Sequence, residues 1–185
     1  MVRFVSRSVF SIGTLLLGAC LAAGQAVPRQ CGYDRWPVKI LMDKDRERVD
    51  FSPLEATVAQ LVAIPIHEIP YPRDRRIGPE ELRVYRLRAR LLKTQHEQDS
   101  DLHLIVADLD KPDVQMIVEI PAPACGEGSG YEQKYRKARD VISSVHIGDV
   151  IEITGVGFFD FIHTAEGAAK NGFELHPVLK IQRVP

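Results

Sequence analysis

The chain has 185 residues, of which 45% are hydrophobic and 26% charged, with twelve prolines and thirteen glycines. That composition fits one ordinary globular domain with many turns, and it excludes a disordered polymer, a collagen-like rod and a polytopic membrane protein. Residues 1–26 hold two of the 24 basic residues and none of the 25 acidic ones, so the remainder carries 22 against 25, a formal −3, and bulk attraction to polyanions is not its default behaviour.

Residues 1–26 have the three parts of a secretory signal. Arg3 and Arg7 form the positive end, Val9 to Leu21 the apolar stretch, and small residues follow through Ala26. The apolar stretch is shorter than the roughly 20 residues a spanning helix needs. Two processing patterns coexist. Gly24-Gln25-Ala26 is a small-x-small cleavage site ahead of Val27, whereas Leu17-Gly18-Ala19-Cys20 resembles a lipobox in which residues 1–19 are removed and Cys20 is lipidated. Both imply export, either to the periplasm or to a lipid-anchored place in a bacterial envelope, with membrane contact only through the signal or the anchor. Export leaves Cys31 and Cys125 as a pair, and in an oxidising compartment a disulfide is expected between them. Neither has the CxxC spacing or the close His of a metal or redox site.

Residues 27–80 read as an N-terminal extension. The segment 36–41 predicts a short strand or edge segment. Ser52-Pro53-Leu54-Glu55 has an N-cap serine, a proline at the first helical position and a capping-box glutamate, which predicts a short helix ending near Ala63 with Leu54, Val58, Leu61 and Val62 on one side. Pro65, Pro70, Pro72 and Pro79 mark an irregular connection.

Residues 81–185 are regular. Tyr85, Leu87, Ala89 and Leu91 alternate with Arg86, Arg88 and Arg90, the period of a strand with one wet face. Further strands are predicted at 102–108, 114–120, 150–161 and 173–182, with a helix over 131–145 and a turn signal at Asn171-Gly172. Three strands, a helix and two strands (β-β-β-α-β-β) is the order of a five-stranded OB-like barrel, a mainly β fold; a meandering sheet with a covering helix is the alternative.

The chain also resembles a family of uncharacterised exported bacterial proteins. The residues that carry the resemblance are Cys31-Gly32 with Arg35-Trp36-Pro37-Val38-Lys39, Asp101-Leu102-His103-Leu104, Glu119-Ile120-Pro121, the GVGFFDF run from Gly155 to Phe161, and the NGFELHPV run from Asn171 to Val178. It spans nearly all of the mature chain. It implies export and a compact β-rich domain, and it carries no activity or substrate.

Chemistry-bearing residues concentrate near the last two strands: Asp160, His163, Asn171, Glu174 and His176. Two imidazoles and two carboxylates make Asp160, His163, Glu174 and His176 candidate ligands for a divalent metal, and Glu174 and His176, two apart on a strand, a candidate catalytic pair. Structural hydrogen bonding is the competing account of the same residues. His103 and Glu119 interrupt apolar strands and must find partners if buried. Residues 73–93 hold a local excess of five positive charges, and Arg86, Arg88 and Arg90 form a stripe that is a candidate ligand-binding face for phosphates or carboxylates, against which stands a solvated face paired with local acids. Phenylalanines on adjoining strands are more often core than a stacking platform, but Phe158 and Phe159 point to opposite faces, so at least one is a candidate to line a surface or groove. No complete dinucleotide fingerprint, P-loop, nucleophile elbow, HExxH or EF-hand loop is present.

These features favour an exported, non-enzymatic binding domain without a resident cofactor, its partner an oligosaccharide, a nucleic acid or another envelope protein. A metal-assisted hydrolase acting on phosphodiesters, with its site on the last two strands, is the second expectation. An envelope structural protein is the third.

Overall fold

The computed structural model describes Met1 and residues 30–184 apart from Pro72. Beyond Met1, the predicted export segment, Cys20 included, lies outside the described residues. Among these residues no helix is long and apolar enough to cross a membrane.

Alternation builds the central strand. In β2 (Arg83–His96) Tyr85, Leu87, Ala89 and Leu91 are buried, while Arg88 and Arg90 are exposed and Arg86 half-buried. β2 is long enough to serve two neighbours, pairing through residues 84–90 with β5 (Val150–Phe159) and through residues 90–96 with β3 (Leu102–Ala107). β3 pairs with β4 (Gln115–Ile120), and β6 (Phe173–Arg183) joins β4 in parallel at Val118 and Leu175 and β5 in antiparallel. The order β2-β3-β4-β6-β5, with β5 returning to β2, closes a five-stranded barrel. The predicted mainly β, OB-like architecture is the observed one. Closure leaves the barrel little open edge beyond the start of β2.

Between β4 and β5 runs α3 (Glu132–Ile142), which buries Tyr135, Ala138 and Ile142. The core joins these residues to Leu102, Leu104 and Val106 of β3, Met116, Val118 and Ile120 of β4, and Phe159, Phe173 and Leu175. Alternation then sends His103 and Glu119 to the outer face, along with Phe158, Glu174 and His176.

Two local expectations are corrected. Residues 36–41 do not form a strand: Trp36–Lys39 is a helical turn, α1, with Pro37 in its first turn and Arg35 starting it at φ 53°. The helix expected from Ser52 is also absent. Residues Asp50–Glu55 form β1, parallel to β2, and the helix α2 (Val58–Leu61) starts at Thr57, where Thr57 and Gln60 make the reciprocal capping box. The reason is tertiary: one side of β2 is left open before Arg90, where β3 begins, and β1 fills it. The expected turn at Asn171-Gly172 is present, but it ends a long connection rather than closing a tight hairpin. Residues 160–172 form a long loop over the outer face of the sheet, and Asn171 is buried at its end, donating from Nδ2 to the carbonyls of Leu61 and Ile64, each at 3.0 Å. Gly167, at φ 79°, lies so close to Ile105 that a Cβ there would stand 2.5 Å from its Cγ2.

A disulfide and a buried ion pair fasten the start of the extension to the barrel. Cys31 and Cys125 form the expected disulfide, with Cα atoms 5.6 Å apart across a separation of 94 residues. Arg35 and Glu81, both fully buried, make a bidentate ion pair at 2.6 and 2.7 Å. Glu81 also accepts the backbone N–H groups of Phe159 at 2.7 Å and Ile77 at 2.6 Å, so the pair pins α1 against the end of β5.

Candidate functional site

The OB-like barrel has a characteristic ligand face, formed by its second and third strands and the loops that follow its first and fourth. Here those are β3, β4, the residues around 97–101 and the loop 160–172. A cleft of about 310 Å³ occupies that place, lined by Lys39, Glu97, Asp99, His103, Glu119, Asp160, His163 and Glu174 among others. Five carboxylates face one lysine and two imidazoles, so the cleft is set up for a cation.

Bulges in β6 aim the side chains. Gly157 faces Leu175 but Gly155 faces Val178, so β6 carries an extra residue at His176-Pro177. Glu174 and His176 therefore serve adjoining clusters. Asp160, His163 and Glu174 can each offer a ligand atom, all within 4.8 Å of one another. His176 belongs instead with Asp101 and Glu119. Three of the four predicted metal ligands thus converge, and the fourth lies next door.

The inner cluster is a chain of charge. His176, fully buried, lies 3.2 Å from Asp101 Oδ2 and 2.8 Å from Glu119 Oε2, off the line of a strong hydrogen bond at both nitrogens, so charge holds it. Burial opposes the imidazolium, but its contacts with Asp101 and Glu119 outweigh this and raise its pKa. Burial likewise works against the Glu119 carboxylate. Contacts with His103 and His176, then the charges of His176 and Lys39, hold it well below the usual range. Asp101 is anchored from behind, accepting the Ala122 N–H at 3.1 Å. On the cleft side, His103 Nδ1 lies 3.0 Å from Glu119 Oε1, while its buried Nε2 has no hydrogen-bond partner.

Glu174 stands apart. It is 3% exposed, its Oε2 has no hydrogen-bond partner, and its nearest ionic contact is His163 Nε2 at 4.0 Å. Burial, then the negative charges of Glu119 and Asp160, raise its pKa well above the usual range. A buried carboxyl without a partner costs stability, so it needs an explanation outside packing. Lys39 is the resident counter-charge. Its ammonium lies 3.4 Å from Asp160, 4.0 Å from Glu119 and 5.3 Å from the Phe158 ring centroid. Burial opposes that ammonium, but Glu119, Asp160 and Glu174 more than offset it and raise its pKa.

Phe158 is the member of its pair that lies outside the core, covered by Arg35 and Lys39 and 5.6 Å from the His176 ring, whereas Phe159 packs inside. The arginine stripe stands elsewhere: Arg86 pairs with Glu55 at 3.0 Å, Arg88 with Glu152 at 3.3 Å, and Arg90 donates to the Gly148 carbonyl at 2.6 Å. None of the three lines the cleft. Lys39, Glu97 and Asp99 of the lining, and Asp101 of the inner cluster, are the residues of the site that the pattern of the sequence left unmarked, although Lys39 and Asp101 lie within the runs that carry its resemblance.

No protein-family model matches this chain, and no curated protein matches it.

Proposed function

We propose that this is an exported small binding domain whose OB-like barrel holds a divalent cation in the acidic cleft, through Asp160, His163 and Glu174. One observation carries the reading: Glu174 is buried at the wall of that cleft with an unpartnered carboxyl oxygen, within ligand distance of an imidazole and a second carboxylate. One nitrogen and two oxygens suit zinc or a similar first-row ion, with positions left for water or a partner's donor. The Cys31–Cys125 disulfide supports an oxidising compartment and so export. The acidity of the cleft makes nucleic acid a poor occupant of this face.

The metal-assisted hydrolase is the second reading, and His103 favours it. Its Nδ1 lies 3.0 Å from the Glu119 carboxylate, which orients the ring as a general base would need, and its buried Nε2, without a hydrogen-bond partner, is the nitrogen a substrate or water would have to reach. Arg86, Arg88 and Arg90 take no part in it.

Equilibrium dialysis of the purified chain against zinc, followed by metal analysis, tests the first reading. One equivalent retained by the wild type and lost in both His163→Ala and Glu174→Gln is expected; no retention overturns it. Hydrolysis of a chromogenic phosphodiester by the loaded protein, abolished in His103→Gln with the metal retained, would move the assignment to the hydrolase.

A further inference from the structure

A second concavity shares no residue with the acidic cleft. It has a volume of about 790 Å³ and lies between α3 and the strands β1, β2, β5 and β6, inside the range of about 300–1,000 Å³ typical of small-molecule sites. Val84, Leu179 and Ile181 are buried at its floor, and Val141 of α3 contributes to one wall. Phe51 of β1 also lines it, 40% exposed and stacked on Tyr131 with ring centroids 5.8 Å apart.

Lys134, Lys137, Lys180 and Arg183 also line it, and no carboxylate is among the described residues that do. Lys134 lies over the Tyr131 ring at 5.1 Å and Arg183 is 3.9 Å from Asp149, while Lys137 and Lys180 have no ion-pair partner among the described residues. Four cations over an apolar floor, in a chain that is acidic overall, are complementary to a ligand that joins one anionic head to a hydrocarbon body. A bare polyanion would leave the floor unused, and a neutral apolar ligand would leave two ammonium groups without purpose.

We propose that this groove binds a single-chain aliphatic carboxylate, with the chain on Val84, Val141, Leu179 and Ile181, beside Phe51, and the head at Lys137 and Lys180. Its affinity then grows by about fourfold for each methylene removed from water.

The test titrates the full chain, disulfide intact, with sodium dodecanoate below its micellar concentration, by calorimetry and by amide chemical shifts. Saturable one-to-one binding is expected, with shifts confined to α3 and the adjoining strands and with decanoate, two methylenes shorter, binding about fifteenfold more weakly. The double variant Lys137→Glu/Lys180→Glu should keep its thermal midpoint and lose about tenfold or more in affinity. Ser144→Trp, which keeps every charge but fills part of the groove, should weaken binding without altering the preference for an anionic head over neutral dodecyl maltoside. Absence of saturable binding, equal binding by the charge-reversed variant, or shifts centred elsewhere would overturn the proposal. So would self-association in sedimentation that the charge reversal abolishes and dodecanoate does not affect, which would assign the groove to a second copy of the chain.

Discussion

Replacing Glu174 by leucine separates a residue held for function from one held for structure. The Glu174 carboxyl is buried with one oxygen unpartnered and no ionic contact closer than 4.0 Å. Such a group carries an unrecovered desolvation cost of about 1–3 kcal/mol. Leucine removes that cost and adds buried apolar surface, so with some loss to imperfect fit the variant should gain about 2 kcal/mol. For a chain of this size that raises the thermal midpoint by about 4–8 °C. Glu119→Leu is the control on the same face. Glu119 meets His103 at 3.0 Å, His176 at 2.8 Å and Lys39 at 4.0 Å, so its loss strands buried charge and should cost about 3–5 kcal/mol. Urea and thermal unfolding with a chelator present, near pH 7, give both numbers. A Glu174→Leu variant less stable than the wild type by 1 kcal/mol or more would show that the carboxyl has a structural partner and would refute the reasoning.

Other expectations follow from the same geometry. Breaking the Cys31–Cys125 bond, by reduction or by Cys125→Ser, opens a loop of 94 residues and should lower stability by about 4–5 kcal/mol on the chain-entropy relation, read from the urea midpoint. Arg35→Met leaves Glu81 buried without its cation and should cost about 3–5 kcal/mol; restoration of most of the loss in Arg35→Met/Glu81→Met would identify the penalty as stranded charge. In the metal-free protein the pH dependence has a set sign. The pKa of His176 is raised by folding, so its contribution is complete below about pH 6.5 and is lost as pH rises through its native value. That of Glu119 is lowered, so its contribution is present above about pH 4.5 and is lost as pH falls through its native value. The raised pKa of Glu174 adds a loss as pH climbs above about 4.5, so thermal midpoints should peak toward the acid end of this interval, and the decline on the alkaline side should shrink in His176→Gln and in Glu174→Gln.

The barrel was legible because its strands carry local signals. The arginine–apolar alternation of β2 and the break between β4 and α3 at Pro121 and Pro123 need no tertiary information to read. What failed was what depends on distant partners. Ser52-Pro53-Leu54-Glu55 has every local feature of a helix start, but the open side of β2 draws it into a strand. The candidate site was half legible. His103, Glu119, Glu174 and His176 stood out as polar residues in apolar strands, and the barrel brings all four to one outer face. Which of them group together depends on Asp101 and Asp160, which lie just outside β3 and β5 and carry no strand signal of their own. Arg35 and Lys39 come from a turn without periodicity, and their partners Glu81, Asp160 and Glu119 lie 46, 121 and 80 residues away in sequence. Arg86, Arg88 and Arg90 share the wet face that the alternation of β2 predicts, but the acids that pair with Arg86 and Arg88 sit on β1 and β5 and become visible only once those strands are paired with β2.

The cleft's proposed role rests on one set of donors, and cobalt(II) reports on it directly. Titration of the purified chain followed by visible absorption should give one saturating equivalent with bands of a low-coordinate nitrogen–oxygen site, displaced by zinc, absent in His163→Ala and Glu174→Gln, and unchanged in Arg88→Ala. Bands that persist in both of the first two variants, or no absorption change at all, would contradict the assignment of Asp160, His163 and Glu174 as a metal centre.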